Sequence, residues 1–286
     1  MRVWPDSAAT LGTLLLERVF LTEAELVTVD DPSYSFFRKR VKELTGIDLD
    51  YYKGNQLERR LKGIMARVKV PGLYEYAKLL ERDPARLQEF KDYFTINVSE
   101  FFRNPERFEE LKGKILPTLL RESRDLRIWS AGCSNGAEPY SVAILVQEVA
   151  PFGRHEILAT DIDDTILAKA REGLYQGNDL KNVSEERRQR YFQAEAAGYR
   201  IKPDLKRRVR FQHHNLLTDP YPQGLDLILC RNVVIYFTEE AKNLVYRKFH
   251  QALRPGGILF VGGTESLFGA REIGFEAVGP FFYRKI

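Results

Sequence analysis

Between residues 34 and 124 the apolar side chains recur at helical spacing, and the runs are interrupted at Gly46, Gly54, Pro71-Gly72 and Asp83-Pro84. This pattern predicts a bundle of short helices. In one of them Leu57, Leu61, Ile64, Met65 and Val68 fall on a single face, Arg59, Lys62 and Lys69 project from the opposite face, and Arg60 and Arg67 flank it. From residue 126 the pattern changes. Short β-rich runs at 126–131, 157–160, 209–213, 225–230 and 257–261 alternate with helical runs at 139–149, 165–171 and 239–253. Strand, helix and strand in repetition predict an α/β domain, a doubly wound Rossmann-like fold whose mostly parallel sheet is covered on both faces. Residues 172–208 break the rhythm with a polar helix near 185–192 and a 199–201 segment suited to a hairpin, which predicts a small antiparallel β insertion. The expected organisation is an N-terminal extension at 1–32, a small all-α domain with a lid or linker at 33–124, and a ligand-binding α/β domain at 125–286. The extension reads as a short helix around 14–20 followed by an acidic turn at Asp30, Asp31 and Pro32.

Composition changes this picture little. With 44% hydrophobic and 29% charged residues the chain is ordinary for a folded protein. No stretch approaches the roughly 18 unbroken apolar residues of a membrane helix, and the run Leu14 to Leu16 is cut off by Glu17 and Arg18, which argues against a secretory signal. Cys133 and Cys230 are too few for a disulfide framework or a structural zinc cluster, so they read as reduced core cysteines of a cytoplasmic protein. His213 and His214 are adjacent on a strand that turns alternate side chains to opposite faces, which speaks against a shared metal. The net charge of +4 is too small to announce nucleic acid. Its distribution is more informative, because residues 36–70 hold ten Lys or Arg against four Asp or Glu. A basic face on the helical domain follows, either simply solvated or turned toward an acidic partner.

The first strand runs into Gly132-Cys133-Ser134-Asn135-Gly136-Ala137-Glu138, a glycine-bearing turn that opens a helix. In an open α/β sheet this turn is the usual edge of a ligand crevice, and Gly132 and Gly136 would allow a close approach of the backbone. The spacing is neither G-x-G-x-x-G nor a P-loop. Glu138 offers a carboxylate where a cationic ligand would be welcome. The second strand ends at Asp161, placed to accept hydrogen bonds from both hydroxyls of a ribose. A nucleoside with a positively charged tail describes S-adenosylmethionine; the alternative is that both carboxylates only cap helices. The fourth strand ends in Cys230-Arg231-Asn232-Val233-Val234-Ile235-Tyr236-Phe237, and it lacks the Asp or Asn followed by Pro-Pro and an aromatic expected of an amino-methylating nucleic-acid enzyme. A carboxylate acceptor, already anionic at neutral pH, needs no general base. Upstream, the polar stretch from Thr95 to Arg103 sits between the two domains, as a lid over the ligand or as a loop closing the domain contact.

Through TINVSEFFR, IWSAGCSNGAEPYSVA, ATDID, HNLL, CRNVVIYF and LFVGGTE the sequence resembles the CheR family of chemotaxis receptor methyltransferases, in order over residues 33–286. The resemblance implies transfer of a methyl group from S-adenosylmethionine to receptor glutamates, leaving S-adenosylhomocysteine. It implies cofactor contacts from Asn97, Ser99 and Arg103 in the lid, Glu138 in the glycine turn and Asp161 on the ribose. It adds Asn215 and Leu216 near the adenine, and Arg231 and Asn232 beside the methionine end. Ser99 stands where many relatives have Thr, and the hydroxyl is kept. Arg103 and Tyr236 are expected closest to the transferred methyl, as positioning groups; an alternative for Tyr236 is an aromatic that closes the sheet end. Arg59, Arg60, Lys62, Arg67 and Lys69 would meet the glutamate-rich helical coiled coil of the receptors. The insertion segment 194–199 is short and has a single glycine, which implies no need for a receptor C-terminal peptide tether. A non-catalytic cofactor-binding adaptor and a nucleic-acid methyltransferase stand as the alternatives.

Overall fold

The computed structural model describes residues 32–95 and 99–286. The expected helix at 14–20, the acidic turn as far as Asp31, and Asn97 lie outside the described residues. Four helices come first: α1 Pro32–Thr45, α2 Gly54–Val68, α3 Leu73–Arg82 and α4 Pro84–Thr95. Their shared core holds Phe37, Val41, Leu57, Leu61, Ile64, Tyr76, Leu80 and Phe90, all buried. In α2 the buried Leu57, Leu61 and Ile64 follow the i, i+4, i+7 spacing that keeps side chains on one face. Gly54, expected as a break, is instead the first residue of α2.

Helices α5 Pro105–Glu110 and α6 Leu116–Glu122 form one run joined by a π-helical turn, Leu111–Ile115. They do not share the core of the first four helices. Phe108, Leu111, Ile115, Leu116 and Leu119 are buried in the cluster on one face of the main sheet, together with Phe101 and Phe102. The hand-over between the two cores therefore falls between residues 95 and 101, earlier than the boundary at 124 drawn from helical periodicity. Periodicity reports which face is buried and is silent on the partner that covers it.

The remaining chain runs β1 Arg127–Ala131, α7 Ala137–Val149, β2 Glu156–Asp161, α8 Asp164–Glu172, β3 Leu174–Tyr175, α9 Glu185–Tyr191, β4 Phe192–Glu195, β5 Gly198–Ile201, α10 Pro203–Lys206, β6 Val209–His213, β7 Leu225–Cys230, α11 Glu239–Ala252, β8 Leu253–Val261, α12 Ala270–Ile273, β9 Phe275–Gly279 and β10 Phe282–Lys285. The main sheet has the order β6-β2-β1-β7-β8-β10-β9. The strands from β6 to β8 are parallel, and β10 and β9 are antiparallel additions. The two antiparallel strands were not among the sequence expectations. Strand β7 is buried at every position and α7 is buried through its first ten residues, as expected of elements in the middle of a covered parallel sheet. The insertion forms its own antiparallel sheet, β3-β5-β4. The chain steps outward from β1 to β2 and β6, then returns to the other side of β1 with β7. The switch in strand order lies between β1 and β7, which is where an open α/β sheet leaves a crevice.

Candidate active site

A cavity of about 200 Å³ opens at the carboxyl ends of β1, β2 and β7. Its wall brings together Ser99, Arg103, Gly132, Glu138, Asp161, Asn215, Leu216, Arg231, Asn232 and Tyr236. These are the residues expected from the sequence to hold the cofactor or lie near the methyl group, Asn97 being outside the described residues, whereas the expected docking residues Arg59, Arg60, Lys62, Arg67 and Lys69 do not line this wall. The helical domain contributes Tyr52 and Phe94 to the same wall. Nothing in the sequence pattern pointed to these two, since they are aromatic residues of a helical core.

The domains meet at this point through backbone as well as side chains. The Lys53 amide donates to the Tyr236 carbonyl at 3.0 Å, the Thr238 amide to the Tyr51 carbonyl at 2.8 Å, and Asn215 Nδ2 to the Gly46 carbonyl at 3.1 Å. The Tyr52 ring lies edge-on to Phe94 and Phe237, with centroids 4.8 and 5.3 Å away. Tyr236, at the end of a short 3-10 turn, is thus anchored to the segment that leads into α2.

At the end of β2, Asp161 accepts from the Ser134 amide at 2.8 Å and the Asp163 amide at 3.1 Å. Burial pushes its carboxyl up to about 6, against the pull of those amides. The glycine turn holds the required geometry. Gly132 has φ 83°, and a side chain there would come within 2.5 Å of Val233, so only glycine leaves this edge of the cavity open. Gly136 has a different role from the one expected. It lies beside Ala170, Phe211 and Tyr175 and caps α7, so its missing side chain serves internal packing.

Glu138 reaches the cavity, but its charge is already shared. The Ser130 hydroxyl donates to it at 2.8 Å and an Arg231 Nη lies 3.5 Å away. Burial pushes its carboxyl up, and the nearby Arg231 opposes this. Arg231 is itself buried, between Phe260 at 4.7 Å and Phe108 at 5.2 Å, and it donates to the Arg103 carbonyl and to Asn104 Oδ1 at 2.8 Å each. One guanidinium therefore ties the lid segment to the end of β7. Asn104 has φ 62°, a conformation that costs a non-glycine residue about 1 kcal/mol and that the Arg231 contact holds in place.

Asn215 and Leu216 follow β6. Asn215 Oδ1 accepts from the Leu217 amide at 3.0 Å, which fixes the turn that presents Leu216 to the cavity. His214 lies on the cavity wall and bonds the Pro220 carbonyl, whereas His213 turns away to Asp164. Among the described residues no group of three or more His, Cys, Asp or Glu is placed to hold a metal. Cys133 and Cys230 are buried thiols, and burial pushes both well up.

The basic residues of α2 do not behave alike. Arg59, Arg67 and Lys69 are exposed, although Arg67 reaches Glu89 at 3.1 Å, and Lys62 pairs with Glu58 at 2.8 Å. Arg60, expected on the flank of the basic face, is folded in. Its guanidinium lies 5.1 Å from the Tyr93 ring and 5.8 Å from the Phe94 ring, and it lines a small recess with Tyr52 and Tyr236 beside the main cavity. No helix among the described residues is long and apolar enough to cross a membrane.

An acidic group at the end of β2, an apolar Leu216, a glycine edge and a set of polar groups at the ends of β1 and β7 fit a nucleoside that carries a charged tail. Comparison with known proteins agrees with this chemistry. The family model described as CheR methyltransferase, SAM binding domain, matches residues 97–279, and that of the CheR methyltransferase all-alpha domain matches residues 32–95. The chain is 42% identical to a chemotaxis protein methyltransferase of Listeria monocytogenes over 89% of its own length and 98% of that protein. It is 34% identical to the chemotaxis protein methyltransferase of Borreliella burgdorferi, over 84% of this chain and 89% of that one. The corresponding protein of Escherichia coli K12 is 32% identical, over 93% and 94% of the two chains.

Proposed function

This chain belongs to the CheR methyltransferase family, and we propose that it esterifies glutamate side chains on the cytoplasmic helical coiled coil of chemoreceptors. Methyl transfer from S-adenosylmethionine in chemotactic adaptation follows from the membership itself. The glutamate acceptor and the coiled-coil docking are our reading. The observation that carries it is the shared wall of the cavity, where Arg103 and Tyr236 from the α/β side face Tyr52 from the helical domain. In solution the reading is tested by the chemical stability of the transferred methyl, because an ester is cleaved by mild alkali and an N-methyl group is not.

S-adenosylmethionine, when bound, supplies an electrophilic methyl group on a positively charged sulfur. Toward it Asp161 would accept from the ribose hydroxyls, with Leu216 and Asn215 against the base and Ser99, Arg231 and Asn232 toward the methionine end. The Glu138–Arg231 pair is close to neutral as a unit, so Glu138 orients a cationic tail more than it attracts one. Arg103 and Tyr236 would hold the acceptor carboxylate in line, with Arg60 in the adjoining recess as a third positive or polar contact. A carboxylate is anionic at neutral pH, so alignment and exclusion of water are the tasks left to these residues.

Docking would use the exposed Arg59, Arg67 and Lys69, with Lys62 exchanging its ion pair with Glu58 for a receptor carboxylate. Charges at the rim of an interface act mainly on encounter and on its salt dependence. Arg59→Glu is therefore expected to raise KM for a receptor fragment by roughly threefold to tenfold at low salt, with less difference at high salt and no change in S-adenosylmethionine affinity. Steady-state methylation at two ionic strengths checks this; an unchanged KM would remove α2 from the docking surface. A nucleic-acid acceptor is not favoured, since Lys62 and Arg67 face acidic partners and Arg60 is folded over aromatic rings. The β4–β5 hairpin turns through Ala196 and Ala197 alone before Gly198. This short turn supports the proposal that no receptor C-terminal peptide is needed as a tether.

A further inference from the structure

Glu265 lies in the turn that follows β8, is 4% exposed, and does not itself line the cavity. Its partners are backbone amides. One carboxylate oxygen accepts from the amides of Asn232 and Gly262, and the other accepts from Val233 at 2.8 Å. Two of the three donors, Asn232 and Val233, belong to the turn between Cys230 and Tyr236, which carries Asn232, Val233, Ile235 and Tyr236 into the cavity wall. That turn is not self-supporting. Asn232 has φ 59°, in the left-handed region, and the 3-10 turn Val234–Tyr236 begins with no side-chain cap of its own.

The approach of β8 is built to admit the carboxylate. A side chain on Gly262 would come within 2.5 Å of a Glu265 oxygen and 2.8 Å of the Asn232 amide, so this contact requires glycine. A neutral amide could not replace the carboxylate. Glutamine offers one acceptor oxygen, and its NH₂ group would face amide donors that it cannot satisfy. Burial pushes the Glu265 carboxyl up, and its hydrogen bonds from backbone amides act against this.

We propose that Glu265 is a positioning residue for methyl transfer: its carboxylate fixes the left-handed turn at Asn232, and through it the place of Tyr236 opposite the acceptor. The inference rests on the methyltransferase reading above. It differs from a purely structural role in what it changes. The nucleoside contacts of Asp161, Asn215 and Leu216 stand on other loops and only the Asn232 contact at the methionine end lies on this turn, so a relaxed Asn232 turn should misalign the reacting groups, cost a few-fold in cofactor affinity and leave most of it in place.

The test is Glu265→Gln in the full chain, with S-adenosylmethionine affinity measured by calorimetry and kcat and KM measured on a receptor cytoplasmic fragment. The expected result is a fall in kcat on the order of a hundredfold, as misplacement near 1 Å produces. Cofactor affinity and receptor KM, taken per folded molecule, should stay within a few-fold of wild type. Glu265→Asp, which keeps the charge one methylene shorter, should recover part of kcat, and it carries the same comparison if the glutamine variant does not fold. Wild-type kcat in a folded variant would overturn the proposal. So would a loss of cofactor affinity equal to the loss in rate, which would make Glu265 a cofactor-site residue. Wild-type protein that binds cofactor but methylates no receptor would instead overturn the functional reading, and this inference with it.

Discussion

Asp161→Ala is expected to abolish measurable binding of S-adenosylmethionine while leaving the protein folded. Two hydrogen bonds to a charged acceptor contribute roughly 1.5–3 kcal/mol each, so their joint loss lowers affinity by about two to four orders of magnitude. The same carboxylate gives the binding a pH signature. Its carboxyl is pushed up to about 6 in the free protein. The hydroxyls of a ribose donate better to the ionised form, so affinity should be constant above pH 7 and fall as the pH drops through 6, by up to tenfold per unit. Asp161→Asn should be weak at every pH and nearly flat. Calorimetric titration from pH 5 to 8 checks both statements. Wild-type affinity in Asp161→Ala would remove the ribose from the end of β2.

Arg231→Met should be the most damaging single change to stability in the site. The guanidinium is buried between two phenylalanine rings, faces Glu138, and holds the lid through Arg103 and Asn104. Removing one partner of a buried pair leaves the other charge without compensation, at roughly 3–5 kcal/mol. In a chain of this size that lowers Tm by about 10 °C. The second change tells more about mechanism. Glu138→Gln added to Arg231→Met should cost less than the two single changes summed, because no uncompensated charge is left. Thermal denaturation of the three variants measures this coupling, and strict additivity would mean that the two groups do not interact. Turnover should also fall in Arg231→Met, since the lid loses its tie to β7.

The sequence was most legible where burial on both faces forced a pattern. The run 225–230 coincides with β7, buried at every position, because a parallel strand in the middle of a covered sheet must be apolar and short. The terminal strands β9 and β10 were missed because their segments carry Gly279, Pro280 and exposed polar positions, which read as loop. The allegiance of α5 and α6 to the sheet was hidden for another reason, since an apolar helical face does not name what it packs against. Within the site, Asp161 and Glu138 were visible from their places at strand and helix ends. Their environments were not: the Arg231 that balances Glu138 comes 93 residues later in the chain. Glu265 was visible only as part of the motif LFVGGTE, with no signal of the three amides that it gathers. Arg60 shows the limit of a helical wheel, which placed it on the flank of a basic face without the aromatic rings that draw it inward.

Carboxyl methylation of a receptor by the residues around this cavity is the step on which the other expectations depend. It is tested most directly by incubating the protein with methyl-labelled S-adenosylmethionine and a receptor cytoplasmic fragment, then treating the labelled fragment with mild alkali. The expected label is released as volatile methanol and disappears when the target glutamates are replaced by alanine. Label that resists alkali, or a receptor that stays unlabelled by protein that binds the cofactor, would contradict carboxyl methylation.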